Sequence, residues 1–126
     1  MSRHNAAAAK YQQVQVRTSG PGDVLLLLYQ GLFRFAAEAK AALAVGDRAL
    51  FGEKLSRAHA ILEELCAGLN YDVAPELCAN LEAVYGFAMT RLIDANVKQD
   101  PALVDEATKP LLPLYEAWRT AVPQAR

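Results

Sequence analysis

Apolar residues recur at intervals of three and four along most of this chain, and helix breakers interrupt the pattern at four points. Ser19-Gly20-Pro21-Gly22-Asp23 is the first. Pro21 suits the first helical position, Gly20 is a modest N-cap, and Asp23 places charge near the positive helix end. Gly46-Asp47 is the second, where Gly closes one helix and Asp caps the next. Gly68 to Pro75 is the third, with Pro75 in the first turn of a new helix. Asp100-Pro101 is the fourth, an N-cap followed by a proline at N1.

Between these stops run four stripes. The first is Leu25, Leu28, Leu32, Phe35, Ala39 and Leu43; the second is Phe51, Leu55, Ala58, Leu62, Leu65 and Leu69. The third is Leu77, Leu81, Val84, Ala88, Leu92 and Ala95; the fourth is Leu103, Ala107, Leu111, Leu114, Trp118 and Val122. Each is one face of an amphipathic helix. Alternation of period two is confined to Val14-Gln15-Val16. Short connections between long helices make neighbours antiparallel. The pattern predicts an all-α fold: an antiparallel up-down four-helix bundle over residues 20–126, preceded by a flexible N-terminal arm over residues 1–19.

The fourth stripe crosses Lys109-Pro110-Leu111-Leu112-Pro113-Leu114, which alone reads as a polyproline ligand. The helical spacing runs straight through it. Pro113 points nearly opposite the stripe and Pro110 sits on its flank. The expectation is a fourth helix kinked by its prolines near residues 106–113, convex towards solvent.

Composition narrows the picture. The chain has 126 residues, 53% hydrophobic and 21% charged, the size and makeup of one globular domain. A net charge of -1, from 13 basic and 14 acidic residues, provides no field for nucleic acid or an anionic membrane. The longest strongly apolar run, Val24 to Tyr29, is too short to span a bilayer, and Met1 to Lys10 holds no apolar signal segment. The reading is a cytosolic protein without membrane insertion. Cys66 and Cys78 do not make a disulfide framework and read as buried, reduced thiols; a bridge is open, but nothing demands it. His59 has Glu63 four residues on, so one face offers two metal ligands. The Glu-x-x-His pairs of carboxylate-bridged metal bundles are absent, as are phosphate loops, Cys-x-x-Cys and Gly-x-Ser-x-Gly. His59 therefore reads as a flank histidine, and the expectation is a protein that is not an enzyme and holds no metal and no cofactor.

Several large apolar side chains fall outside the stripes. Leu26 and Phe33 lie roughly 100° from the centre of the first stripe, with Tyr29 at its margin. Tyr85 flanks the third stripe, and Met89 and Ile93 lie further round. Tyr115 widens the fourth beside Trp118. A short chain leaves some apolar atoms outside its core. Accumulation on three helices instead marks a partner surface. The arm residues Tyr11, Val14 and Val16 are placed to cover part of it.

Several stretches together carry a family likeness. They are Tyr11-Gln12-Gln13-Val14-Gln15-Val16-Arg17-Thr18-Ser19 leading into Pro21, Leu27-Leu28-Tyr29-Gln30-Gly31 with Arg34-Phe35, and Asn80-Leu81 with Val84-Tyr85. Arg91-Leu92-Ile93-Asp94-Ala95-Asn96-Val97-Lys98-Gln99-Asp100 follows, then Leu111-Leu112, Leu114, Ala117 and Trp118. From about Tyr11 to Val122 the chain resembles the flagellar secretion chaperone FliS family. The resemblance implies a cytosolic export chaperone that binds the C-terminal segment of flagellin, prevents its premature polymerisation and assists its delivery to the type III export gate. Export-gate components or a co-chaperone are further implied partners. The family's arm folds over part of the binding surface and is displaced by cargo, which matches Tyr11 to Val16.

On this reading the groove is formed by Tyr29, Tyr85, Met89, Ile93, Tyr115 and Trp118, with Asn96 and Lys98 as polar contacts at a helix end. A core role for Trp118 stands equally open, and Gly31 permits close helix packing. Gly20 departs from the Ser usual before Pro21, Gln30 from the usual acidic residue, and the two prolines of the fourth helix are unusual for the family. Two other readings remain: a helical adaptor for another partner, such as a regulator of flagellar assembly, and a small metal-binding bundle enzyme.

Overall fold

The computed structural model describes residues 20–122, so the arm residues Tyr11, Val14 and Val16 lie outside the described residues. The described residues form helices and turns, with no strand among them. In order these are α1 (Pro21–Ala44), α2 (Arg48–Ala67), α3 (Pro75–Lys98), α4 (Pro101–Thr108) and α5 (Leu111–Ala121).

Local chemistry sets the boundaries. Pro21 opens α1, and the Asp23 carboxylate accepts from the Gly20 N–H at 3.4 Å. Gly46 turns the chain out of α1 with φ +81°, a conformation side chains with a Cβ rarely adopt. Asp47 then caps α2 by accepting the Leu50 N–H at 3.0 Å. α3 ends on Gln99, left-handed at φ 53°, whose side-chain amide donates to the Asn96 carbonyl at 2.6 Å. Asp100 caps α4 by accepting from the Ala102 N–H at 2.9 Å.

The fourth apolar stripe is carried by two helices rather than one, separated by Lys109 and Pro110. Pro110 has no N–H for the Glu106 carbonyl, and Pro113 has none for that of Lys109. The Lys109 carbonyl accepts instead from the Leu112 N–H at 3.3 Å, a tighter turn than an α-helix makes.

Contacts between helices follow a simple order. Gly31 of α1 lies against Ile61 of α2, and Glu38 of α1 meets Lys54 of α2 at 2.9 Å. Gly52 of α2 faces Asn96 of α3. Lys40 of α1 pairs with Asp105 of α4 at 2.6 Å, and Gln30 of α1 with Tyr115 of α5 at 2.9 Å. In the α1–α2 pairs, numbers rise along one helix as they fall along the other; the same holds from α1 to α4 and α5. The ion pairs are exposed or half-exposed and add little stability. Gly31 is packed closely: a Cβ there would lie 3.2 Å from Ile61 Cδ1, tighter than ordinary van der Waals contact.

The core follows the second stripe as expected: Phe51, Leu55, Ala58, Leu62 and Leu65 are buried. On α1 the buried face is rotated, and on α3 it shifts by one residue at Leu77 and Val84, while Leu81, Ala88, Leu92 and Ala95 are buried as the third stripe predicts. Tyr29, Leu32, Ala36, Ala39 and Ala42 are buried on α1, while Leu25, Leu28, Phe35 and Leu43 are half-buried. α1 packs against α2, α4 and α5, so apolar residues on both flanks find partners, and the small alanines take the centre. On α3 the buried face is Cys78, Leu81, Tyr85, Ala88, Leu92 and Ala95. Leu77, expected in the core, is 47% exposed, and Val84 is half-buried. Leu26 and Phe33, expected well outside the stripe, are half-buried.

This rotation sets two truncations apart. Leu62→Ala is expected to cost about 2–5 kcal/mol, as a buried leucine loses its contacts. Leu77→Ala is expected to cost about 1 kcal/mol or less. Urea unfolding of both variants checks the difference; equal losses would place Leu77 back in the core.

Candidate functional site

The residues expected to form a single groove occupy three different settings. Tyr29 and Tyr85 are 0% and 1% exposed, and their hydroxyls share a hydrogen bond of 2.7 Å. This corrects the expectation that they stand on the flank of the core. A buried phenol is tolerated when its hydroxyl is partnered, and here each tyrosine partners the other. Phe33 packs edge-on against Tyr29 at 6.2 Å, and Tyr115 lies parallel to Tyr29 at 6.1 Å. Tyr115 is half-buried, and the Gln30 side-chain amide donates to its hydroxyl at 2.9 Å. Trp118 is half-buried, its indole N–H facing the Tyr29 hydroxyl without closing a well-formed hydrogen bond.

Burial raises the pKa of Tyr29, opposed by the hydrogen bonds that favour its charged form. Burial raises Tyr85 much further, helped by its hydrogen bond to Tyr29 and by the charge Tyr29 would carry. The pair therefore stays neutral and polar inside an apolar ring.

Ile93 and Asn96 stand elsewhere. Together with Leu55, Ser56, His59 and Leu92 they line a cleft of about 260 Å³ between α2 and α3. Ile93 is 54% exposed and Met89 half-buried on the same helix. Lys98 is exposed at the end of α3. His59 lies 3.7 Å from Glu63, and no cluster of three metal-ligating side chains occurs among the described residues.

A larger cleft, about 610 Å³, opens where α1 begins and α2 ends. Val24, Leu25 and Leu28 form one wall, Leu65 and Leu69 another, with Leu81 and Tyr85 in the floor and Trp118 at the side. Of the residues expected in a groove, it gathers Tyr85 and Trp118. Val24, Leu65 and Leu69 were not singled out for a site. For Val24 the signal was the unbroken run Val24 to Leu28, more apolar residues than one helix stripe can bury; Leu65 and Leu69 belong to the second stripe and carried no separate signal.

Nearby, the Tyr71 hydroxyl donates to the Glu82 carboxylate, and that bond pushes its pKa up to about 12. Both cysteines are free thiols, Cys78 buried and Cys66 half-buried. Burial, with the Glu82 and Glu63 carboxylates close by, raises the Cys66 pKa and keeps it a poor nucleophile.

The described residues thus make an all-helical body with apolar clefts between its helices. A family model of the flagellar protein FliS matches residues 3–125. The chain belongs to the FliS family. It is 34% identical to the flagellar secretion chaperone FliS of Bacillus subtilis, over 92% of this chain and 86% of the relative. The FliS of Salmonella typhimurium is 31% identical over 91% of this chain and 89% of its own length. The flagellar secretion chaperone FliSB of Pseudomonas aeruginosa is 32% identical, over 89% and 92%.

The tyrosine pair has a measurable signature. Tyr85→Phe leaves the Tyr29 hydroxyl buried without its partner and is expected to cost about 1–3 kcal/mol. Removing both hydroxyls, Tyr29→Phe with Tyr85→Phe, is expected to cost less than the sum of the single changes. Raised folded pKa values stabilise fully below the ordinary tyrosine value of 10.0, and that contribution is lost as pH rises through the raised values. Stability measured by denaturant should therefore fall above pH 10, and fall less steeply in the double variant. Additive single changes would show that the hydroxyls do not act as a pair.

Proposed function

We propose that this protein is a cytosolic export chaperone that binds the disordered C-terminal segment of flagellin, keeps it from polymerising and assists its delivery to the flagellar type III export apparatus. The described helices then serve as an antiparallel four-helix bundle, in which α4 and α5 together are a fourth member bent at its prolines. The observation that carries this reading is the apolar cleft of about 610 Å³ in a chain of the FliS family. An amphipathic helix of cargo laid in an apolar groove is a general recognition mode. The curated relatives are named secretion chaperones, which supports the export role.

The two clefts suit two turns of one wrapped segment. Val24, Leu28, Leu69 and Trp118 contact one part of the cargo; Met89, Ile93 and Asn96 contact another. Lys98 adds a cation at the helix end. Tyr29 and Tyr85 support these surfaces from below. Ordering a disordered tail is costly, so a large wrapped area is needed for tight binding. No catalysis, metal or cofactor enters this mechanism. An export-gate component or a co-chaperone is a further partner on the same reading. No helix among the described residues is long and apolar enough to cross a membrane, which accords with a cytosolic site of action.

Purified protein is expected to form a stoichiometric complex with flagellin from the same cell, and to lose it when the flagellin C-terminal segment is deleted. Ile93→Ala is expected to weaken that complex by roughly tenfold, about 1.4 kcal/mol, with little change in unfolding. Titration calorimetry checks both. Unchanged binding to the truncated flagellin would overturn the reading and favour an adaptor for another partner.

A further inference from the structure

We infer that α5 is a hinged wall of the larger cleft, one that swings from α1 about Lys109 and Pro110 and opens the cleft onto the aromatic cluster. The inference rests on the reading of that cleft as the flagellin site. Four observations carry it. Pro110 and Pro113 remove two of the backbone bonds that would make α4 and α5 one rod. α5 is 11 residues long, with no side-chain cap and no acidic residue in its first turn, so it draws little stability from itself.

Its anchoring is uneven. Leu111 is fully buried and sits beside the hinge. Beyond it α5 packs on the core through the half-buried Leu114, Tyr115 and Trp118, Val122 just past its end lies against Gly22 of α1, and an exposed bond runs from Gln30 to Tyr115. Elements secured by few buried apolar contacts and exposed bonds are the first to open.

The underside of α5 supplies the fourth observation. The Trp118 indole nitrogen is buried without a well-formed hydrogen bond, and opening returns it to water. Tyr115 leaves the face of Tyr29 and the edge of Phe33, from which it is 5.6 Å away. The cleft then extends from Leu28 and Tyr85 to the rings of Tyr29 and Phe33. The apolar faces of Tyr115 and Trp118 turn from packing against α1 to contacting the occupant.

Gly22 and Val122 offer a lock. A Cβ on Gly22 would lie 3.5 Å from Val122 Cβ, within the range a disulfide spans. Gly22→Cys with Val122→Cys, in a Cys66→Ala, Cys78→Ala background, ties the far end of α5 to α1 when oxidised. Reduction releases it in the same protein, so a folding defect would show in both states. In the reduced protein, amides of residues 114–121 are expected to exchange roughly tenfold faster than when oxidised. The flagellin C-terminal peptide is expected to bind the reduced form at least roughly tenfold more tightly. Equal exchange in the two states overturns the hinge, even where the peptide binds and the flagellin reading stands. Equal affinity also overturns it, because the cleft then needs no opening. Faster exchange on reduction with no peptide bound in either state supports the hinge and overturns the flagellin reading instead.

Discussion

The hydrogen bond between the Tyr29 and Tyr85 hydroxyls is the contact around which this end of the molecule is arranged. It joins α1 to α3, two helices that otherwise share little surface. Two phenols are large and carry polar tips, so burying them requires both a wide space and a partner for each hydroxyl. They meet both needs for one another. Phe33, Tyr115 and Trp118 then close around the pair, which brings α5 onto α1. Further along, Ala36, Ala39, Ala88 and Ala95 replace bulk with closeness. Tyr85 thus serves as core residue and as part of the cleft lining at once.

The prolines act on the same region. A continuous fourth helix would carry one stripe of side chains along a straight line. Lys109 and Pro110 divide it, and the tighter turn from Lys109 to Leu112 sets the course of α5. Gln30 bonds to Tyr115, and Pro110 and Pro113 precede it on the chain. A neutral amide at position 30 suits a phenol as acceptor, since it donates a hydrogen bond without bringing a charge. These contacts hold the last helix against α1 beside the larger cleft.

Chain stops and caps were legible in the sequence because their chemistry is local. Pro21, Gly46-Asp47, Pro75 and Asp100-Pro101 act through their own backbone geometry and through hydrogen bonds to residues two or three positions away. The second stripe was legible for a related reason. α2 has one dominant apolar face, so period and burial agree. On α1 the period matches and the phase is rotated; on α3 the stripe matches at Leu81, Ala88, Leu92 and Ala95 and misses at Leu77 and Val84. Leucines and valines on both flanks made two stripes nearly equivalent, and the choice between Leu77 and Cys78, or Val84 and Tyr85, depends on the neighbouring helices.

The sequence by itself determined an all-helical chain, its breaks, and an excess of apolar side chains beyond what one core face needs. Those are consequences of backbone restriction and of periodicity along a single helix. Only the tertiary structure decided where that excess goes. It buried Tyr29 and Tyr85 as a bonded pair, left Ile93 at a cleft between α2 and α3, and assembled the larger cleft from Val24, Leu69 and Trp118, residues far apart in the chain. A hydroxyl finds its partner, and a cleft its walls, through space. That information is set by the approach of the five helices and is not carried by the period of any one of them.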